Sequence, residues 1–243
     1  APSRLIHGAL KYLETGEFGL VAQSTLERNL LLRNAPHLVR PLPTVIPIFS
    51  WTKGIGAAVR TFFGAKSAPR SRGVLLVKIG LALYDFYGSR GKMMPRHRLW
   101  RRSAVLEKLP SLTPRIVAAG SYYDAKVAAP ERLVWELIRD GLAANPRSQA
   151  QNFTDLQGQQ EGRLVFKASD GTAFLVGSSV VVNAAGPWVD HVNSLLGIHG
   201  KLIGGTKGSH ILLEHDELVR ELDGRMIYFE ADDGRICLVY EYL

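Results

Sequence analysis

The stretch that most limits the fold is residues 178–196, SSVVVNAAGPWVDHVNSLL. Val180–Val182 is a β-branched apolar run, and such a run bounded by turn residues reads as a buried strand. Asn183-Ala-Ala-Gly186 then turns the chain with small residues only. Pro187 suits the first turn of a helix, where the N–H it lacks would have no intrahelical partner. Val189, Val192 and Leu196 follow at helical spacing. Strand, small-residue turn and helix form half of a nucleotide-binding crevice, because backbone approaches a ligand closely where no side chain intervenes. The same pattern also serves plain packing in α/β proteins, so the rest of the chain has to decide.

A chain of 243 residues with 46% hydrophobic content can bury a real core in one or two domains. Lys and Arg number 30 against 22 Asp and Glu, a formal charge of +8. That balance suits nucleic acid, an anionic membrane surface or a phosphorylated substrate, without choosing among them. The single cysteine, Cys237, rules out an intrachain disulfide and a multi-cysteine metal site, and no metal is expected. It lies in the apolar run 236–240, where a buried, inert thiol is expected. No run approaches the ~18 apolar residues of a membrane span, and no signal-peptide pattern is present.

Read in order, helices are expected at Leu5–Glu14 and Gly19–Arg33. In the second, Leu20, Leu26, Leu30 and Leu31 form the apolar face and Glu27, Arg28 and Arg33 face solvent. Residues 38–49 carry Pro41, Pro43 and Pro47, which suggests an edge strand or an extended crossing segment. Across Trp51–Arg72, Trp51, Ile55, Val59, Phe62 and Phe63 recur at helical spacing among Lys53, Arg60, Lys66, Arg70 and Arg72. Such a basic amphipathic helix either lies on an anionic bilayer or turns its apolar face to a core. Leu75–Tyr87 reads as a helix packed through Leu75, Ile79, Ala82, Leu83 and Phe86, with Gly88 as its stop. The basic run 88–114 lacks the stacked aromatics of single-strand binders, so nucleic acid is not an expected partner.

Ile116–Val127 reads as a strand or hairpin arm. Pro130 opens a helix through Ala144, with Leu133, Val134, Leu137 and Ile138 expected inside. Ser169-Asp170-Gly171 is a hairpin turn between Arg163–Ala168 and Thr172–Val176. Lys201–Leu213, Met226–Glu230 and Arg235–Tyr240 read as successive strands.

Four stretches remain: Ser3-Arg-Leu-Ile-His-Gly-Ala-Leu-Lys-Tyr-Leu-Glu14, Ser121-Tyr-Tyr-Asp124, Asn183-Ala-Ala-Gly-Pro-Trp-Val189 and Lys207-Gly-Ser-His-Ile-Leu212. In this order they resemble the FAD-dependent glycerol-3-phosphate dehydrogenases of the amino-acid-oxidase-like flavoprotein superfamily, over residues 3–243. The resemblance implies an α/β fold with an α+β cap, in which a FAD-binding Rossmann-like domain interleaves with an antiparallel-sheet substrate domain. Flavin-domain pieces are expected at 1–37 and 129–197, and cap pieces at 38–128 and 198–243. It implies FAD as cofactor, oxidation of sn-glycerol 3-phosphate to dihydroxyacetone phosphate, and electrons passed to a quinone. The basic amphipathic segment Trp51–Arg72 adds the expectation of weak peripheral attachment to an anionic membrane surface, with the enzyme cytoplasmic on the inner membrane. The family's GxGxxG turn has no counterpart here, and its later glycine- and arginine-bearing motifs are missing. The chain therefore reads as an internal fragment of a longer enzyme, inactive by itself.

Oxidising a secondary alcohol with a flavin requires a base for the hydroxyl proton and fixed donors that hold the substrate still. A phosphate adds a demand for cations. By resemblance, Ser3, Arg4 and His7 meet the flavin, together with the backbone of Asn183, Ala184, Ala185 and Gly186. Lys11, Tyr12 and Lys207 meet the substrate, and His7 and His210 are the candidate catalytic groups. If residues 4–11 are helical, Arg4, His7 and Lys11 share a face. His7 then either accepts a proton or hydrogen-bonds the flavin. Lys11-Tyr12 stands where the family has Arg-Tyr, which keeps the charge and loses the bidentate fork. Ala9 stands in place of a family glycine. Two other readings stay open: a flavin enzyme for another hydroxy acid or amine, and a non-catalytic basic domain for membrane or nucleic acid.

Overall fold

The computed structural model describes residues 3–13, 16–54, 73–88, 93–205, 208–231 and 235–242. Lys207 and most of the amphipathic segment read at Trp51–Arg72 lie outside them. The chain divides into two compact units, Ala1–Glu136 with Leu213–Leu243, and Leu137–Leu212.

The first unit is built on one mixed sheet. Its strands are β1 (Leu5–Ile6), β2 (Val39–Ile48), β3 (Arg98–Arg101), β4 (Ala118–Val127), β8 (Met226–Glu230) and β9 (Ile236–Val239). They run in the order β1-β4-β2-β8-β9, with β3 also paired to β4. β2 pairs antiparallel with β4 along its whole length, from Val39↔Val127 to Ile48↔Ala118.

β2 is thus a central strand despite its prolines, which corrects the edge-strand expectation. The reason is parity. Leu38 and Ile48 accept from Ala128 and Val117 through their carbonyls. Even-numbered backbone groups of β2 therefore face β4, since a residue's N–H and C=O point to the same side of a strand. Pro41, Pro43 and Pro47 are all odd, so the missing donors fall on the other side. There the parallel partner β8 is registered only at Thr44 and Val45.

Helices cover both faces of this sheet. α1 (Phe18–Asn34) and α2 (Val74–Gly88) contribute Val21, Val77, Leu81 and Tyr84 to a cluster with Ile48 and Tyr122. α3 (Arg102–Lys108) and α6 (Asp216–Leu222) bring Val105 and Leu222 to Val45 and Ala119. Residues 45 and 48, like 119 and 122, differ in parity, so the two clusters lie on opposite faces.

Several local expectations change. Leu5–Glu14 is not a helix. β1 pairs with Ala125 and Lys126, left-handed backbone at Arg4 (φ 54°) and Ala9 (φ 62°) interrupts any helix, and only Leu10–Leu13 forms a 3-10 turn. In α1 the buried face is Val21, Thr25, Arg28, Asn29 and Leu32, while Leu20 and Leu26 are exposed. Arg28, expected in solvent, is 1% exposed. In α2 the buried residues are Val77, Leu81, Tyr84 and Gly88. The residues read as its packing face, Leu75, Ile79, Ala82, Leu83 and Phe86, are exposed. Both faces of α2 are apolar, so spacing alone chose the wrong one.

The second unit holds the antiparallel sheet β5 (Thr154–Gln160), β6 (Arg163–Ala168) and β7 (Ala173–Val176). The hairpin at Ser169-Asp170-Gly171 is as expected, with the Asp170 carboxylate accepting from Thr172 N–H at 2.9 Å. α4 (Pro130–Ala144) is the expected helix and runs from the first unit into the second. Only Leu133 is buried on it; Val134, Leu137 and Ile138 are 46–56% exposed.

Val180–Val182 is not a buried strand: it belongs to no sheet and is 47–83% exposed, and the Val180 N–H and C=O bond the Ser178 hydroxyl instead. A strand needs a neighbour for its N–H and C=O groups, and among the described residues of this unit no other segment pairs with it. Lys201–Leu213 forms no strand among its described residues, for the same reason. α5 (Val189–Leu195) follows the turn as expected, after a 3-10 turn at Gly186–Trp188 with Pro187 in its first positions.

Candidate functional site

Ser3, Arg4, His7, Lys11 and Tyr12 lie in the first unit. Asn183, Ala184, Ala185, Gly186 and His210 lie in the second.

In the first group Ser3 and Arg4 precede β1, His7 sits on the loop between β1 and the 3-10 turn, and Lys11 and Tyr12 lie in that turn. His7 is exposed, whereas Gly8 and Ala9 are buried. The loop is gripped from beneath. Gly8 N–H donates to Asp124 Oδ1 at 2.9 Å and to Tyr84 Oη at 3.0 Å. Tyr84 donates its own proton to Asp124 Oδ1 and accepts from Arg28 Nη1 at 2.6 Å. Arg28 lies 3.3 Å from Asp124 Oδ1 and also donates to the Tyr123 carbonyl. Its Nε and Nη2 donate to Asn29, whose amide in turn donates to the Gly88 carbonyl at 2.9 Å.

Every polar valence of the Tyr84 hydroxyl is filled, which is what a buried network needs to be stable. Burial, and after it the Asp124 carboxylate, hold the Tyr84 phenol well above its ordinary value, against the opposing Arg28 charge. Tyr122 is raised by the same two causes in the same order. Both phenols therefore stay protonated and act as donors. Sequence reading missed this cluster. Its motif Tyr-Tyr-Asp124 was visible, but partners 40–116 residues apart carry no local signal.

Gly8 cannot be anything else here. A Cβ would stand 2.2 Å from Tyr84 Oη and 2.8 Å from both Arg28 Nη1 and Thr25 Cγ2. Ala9 N–H donates back to His7 Nδ1 at 3.2 Å. Ser3 and Arg4 pack against the end of the chain: the Tyr240 hydroxyl donates to the Ser3 carbonyl at 3.1 Å, and the Arg4 guanidinium lies 4.9 Å from the Tyr242 ring centroid. Arg4, His7 and Lys11 do not share a helical face, because residues 5–9 are strand and loop. Lys11 is exposed, with its ammonium 5.0 Å from the Tyr12 ring centroid.

In the second unit the Asn183 side chain organises the small-residue turn. Its amide donates to the Val189 carbonyl at 2.9 Å and to Asn193 Oδ1 at 2.8 Å, and its carbonyl accepts from Ala185 N–H at 3.1 Å. Gly186 takes φ 55°, a glycine conformation, and a Cβ there would meet nothing within 4 Å. Asp190 accepts from Leu202 and Ile203 N–H, fixing the following loop. The turn is thus rigid, open and free of large side chains at Ala184–Gly186. That is the property a flat cofactor needs for close backbone contact, so the residues present fit FAD. His210 is exposed.

The family described as FAD dependent oxidoreductase matches residues 1–241. A glycerol-3-phosphate dehydrogenase from Synechocystis sp. is 33% identical over 231 residues, covering 87% of this chain and 38% of that protein. An aerobic glycerol-3-phosphate dehydrogenase from Staphylococcus epidermidis is 28% identical over 241 residues, covering 96% and 39%. This chain therefore spans about two fifths of the length of these relatives. Among solved structures, the glycerol-3-phosphate dehydrogenase from Bacillus halodurans complexed with FAD aligns with a TM-score of 0.55 at 19% identity, over 99% of this chain and 37% of that one. L-proline dehydrogenase from P. horikoshii aligns at 0.52 and 14% identity, over 92% and 55%. The two structural likenesses show a shared mixed α/β fold, and the family match over nearly the whole chain settles its membership: the chain belongs to the FAD dependent oxidoreductase family.

Proposed function

We propose that the protein carrying this chain is an FAD-dependent glycerol-3-phosphate dehydrogenase that converts sn-glycerol 3-phosphate to dihydroxyacetone phosphate and passes the electrons to a quinone. The observation that carries the reading is the clamped loop, which presents an exposed histidine and, four residues on, an exposed cation on a backbone fixed from below. It is supported by relatives named glycerol-3-phosphate dehydrogenase. FAD, when bound, supplies the two-electron chemistry by accepting the carbinol hydride.

The chain's own residues hold and orient. Lys11 and Lys207 attract the anionic substrate, Tyr12 flanks it, and His7 and His210 are the groups available for its hydroxyl proton. The backbone at Asn183–Gly186, with Ser3 and Arg4, contacts the cofactor. The exposed apolar run Val180–Val182 and the bare face of α4 belong against further polypeptide of a longer flavoprotein. A related enzyme for another hydroxy acid or amine is the second reading. It is favoured by Lys11, a point charge where a bidentate arginine would grip phosphate better.

Peripheral attachment to an anionic membrane is part of the proposal. On α2, Leu75, Ile79, Leu83 and Phe86 are 38–71% exposed and follow one helical stripe. Residues 50–53, with Trp51 62% exposed, are tied to the start of α2 by the bonds Gly73 N–H to Lys53 O and Val74 N–H to Ser50 O. Among the described residues no helix is long and apolar enough to cross a membrane.

Steady-state kinetics of the FAD-loaded protein test the assignment. Lys11→Ala and Lys207→Ala are expected to raise KM for glycerol 3-phosphate with little change in kcat, as removal of uniform binding does. His210→Asn is expected to lower kcat by roughly 10²–10³-fold if it is the base. Equal use of glycerol and glycerol 3-phosphate by the wild type would move the assignment to the second reading.

A further inference from the structure

We infer that His7 works as a hydrogen-bond donor through Nε2 and not as the base, and that Asp124, Tyr84 and Arg28 are positioning residues that keep it so. The inference rests on the flavin-facing reading of His7 and goes beyond it by fixing which ring nitrogen carries the proton.

The argument starts at Ala9. Its N–H donates to His7 Nδ1 at 3.2 Å. A nitrogen that accepts from a backbone donor holds its lone pair toward it and cannot carry a proton. In the neutral imidazole the proton then resides on Nε2. An Nε2–H group can donate to an electron-rich atom and has no lone pair with which to take a substrate proton. The base for the hydroxyl therefore lies elsewhere, and His210 becomes the candidate.

What holds Ala9 N–H against His7 is the network below. Ala9 takes a left-handed φ of 62°, an arrangement that costs a non-glycine residue about 1–2 kcal/mol and persists only where its surroundings impose it. The imposing contact is the double acceptance of Gly8 N–H by Asp124 and Tyr84. Gly8 lies against Tyr84, Arg28 and Thr25 too closely for a Cβ, so the loop has no room to slide. On its other side, the Ala9 carbonyl accepts from Tyr12 N–H at 2.9 Å, locking the loop into the 3-10 turn. Asp124, Tyr84 and Arg28 are each 1–4% exposed and lie beneath the loop. They act on the chemistry only through the position of residues 7–9.

The test reads the tautomer and the rate separately. In the FAD-loaded protein with ¹⁵N-labelled histidine, long-range ¹H–¹⁵N correlation is expected to show His7 with a bare Nδ1 and a protonated Nε2. A proton on Nδ1 overturns the inference whatever the kinetics. In steady-state assays His7→Ala is expected to lower kcat by roughly 10²–10³-fold, the scale of deleting one donor aimed at developing negative charge. His7→Gln, whose Nε2–H₂ reaches the same place, is expected to restore at least about tenfold of that loss. Equal loss in both variants overturns the donor role and leaves His7 as the base. A His7→Ala variant with unchanged kcat and unchanged flavin spectrum overturns the flavin-facing reading itself. For the positioning residues, Tyr84→Phe keeps the ring and removes the hydroxyl. It is expected to mix the His7 tautomers and to lower kcat while KM stays near its wild-type value. An unaltered tautomer in a folded Tyr84→Phe protein refutes the positioning role. Should that variant not fold, the His7→Gln and His7→Ala pair still decides the donor role.

Discussion

Replacing Gly8 by alanine adds the methyl with the closest contact of any described glycine in the first unit. The new Cβ would stand 2.2 Å from Tyr84 Oη and 2.8 Å from Arg28 Nη1 and Thr25 Cγ2. None of these neighbours yields cheaply. The Tyr84 ring is held edge-on to Tyr122 at a centroid distance of 5.6 Å, and Arg28 is 1% exposed with donors spent on four residues. Relief comes from moving the Tyr84 hydroxyl off Asp124, or Gly8 N–H off both acceptors. Overpacking of this kind costs about 1–3 kcal/mol, and a lost bond to a charged group adds about 1.5–3 kcal/mol. The expected loss is roughly 3–5 kcal/mol, a large share of a typical stability on the order of 5–15 kcal/mol. Urea unfolding followed by tryptophan fluorescence measures it, as a lowered midpoint at unchanged slope. Gly186→Ala is the control: its Cβ meets nothing within 4 Å, so only the φ of 55° opposes it, at about 1–2 kcal/mol. If Gly8→Ala costs no more than Gly186→Ala, the clamp under the loop does not hold in solution.

Three further outcomes follow from the same structure. Tyr84 and Tyr122 have phenols raised above the ordinary 10.0. A group raised on folding stabilises fully below its unfolded pKa and loses that stabilisation as pH climbs through the folded value. Stability should therefore fall as pH rises past about 10, and the fall should be shallower in Tyr84→Phe; parallel curves for the two proteins would refute it. Ala9→Gly relieves left-handed strain of about 1–2 kcal/mol. It also gives up a buried methyl worth about 0.8 kcal/mol and backbone entropy of about 0.4–1 kcal/mol, so the melting temperature should move by only a few degrees. A shift beyond about 8 °C would show that one of these effects is misjudged. Flotation on phosphatidylserine vesicles should weaken when Leu75, Ile79 and Phe86 are changed together to serine, and again at high salt; unaltered flotation would assign attachment to another surface.

Local rules made some elements legible and long-range ones hid the others. The Ser169-Asp170-Gly171 hairpin, α1, α4 and strands β8 and β9 carry their own turn or spacing signals, and these hold. The burial of α1 could not be read locally. Arg28 reaches Tyr84 and Asp124, 56 and 96 residues on, and those partners are what make its burial possible. α2 misled because apolar residues occupy both its buried and its exposed face. β2 misled because its three prolines share one parity, a fact that matters only once the partner strands are known. α6 was overlooked although Asp216 and Glu217 open it and Asp223-Gly224 close it. Its cap is His215, whose Nδ1 accepts from Leu218 N–H, and histidine is not a residue by which helix starts are recognised. At the candidate site, His7, Lys11 and the Asn183–Gly186 turn could be named from sequence. The Asp124–Tyr84–Arg28 support could not, since nothing in a linear motif says which backbone amide it holds.

The most direct test of the proposed activity is anaerobic mixing of the FAD-loaded protein with sn-glycerol 3-phosphate, followed by flavin absorbance. The account expects the absorbance to bleach with a rate that saturates in substrate. Lys11→Ala should shift the half-saturating concentration upward and leave the limiting rate near that of the wild type. Flavin that stays oxidised in glycerol 3-phosphate, or that bleaches equally fast in unphosphorylated glycerol, would contradict it.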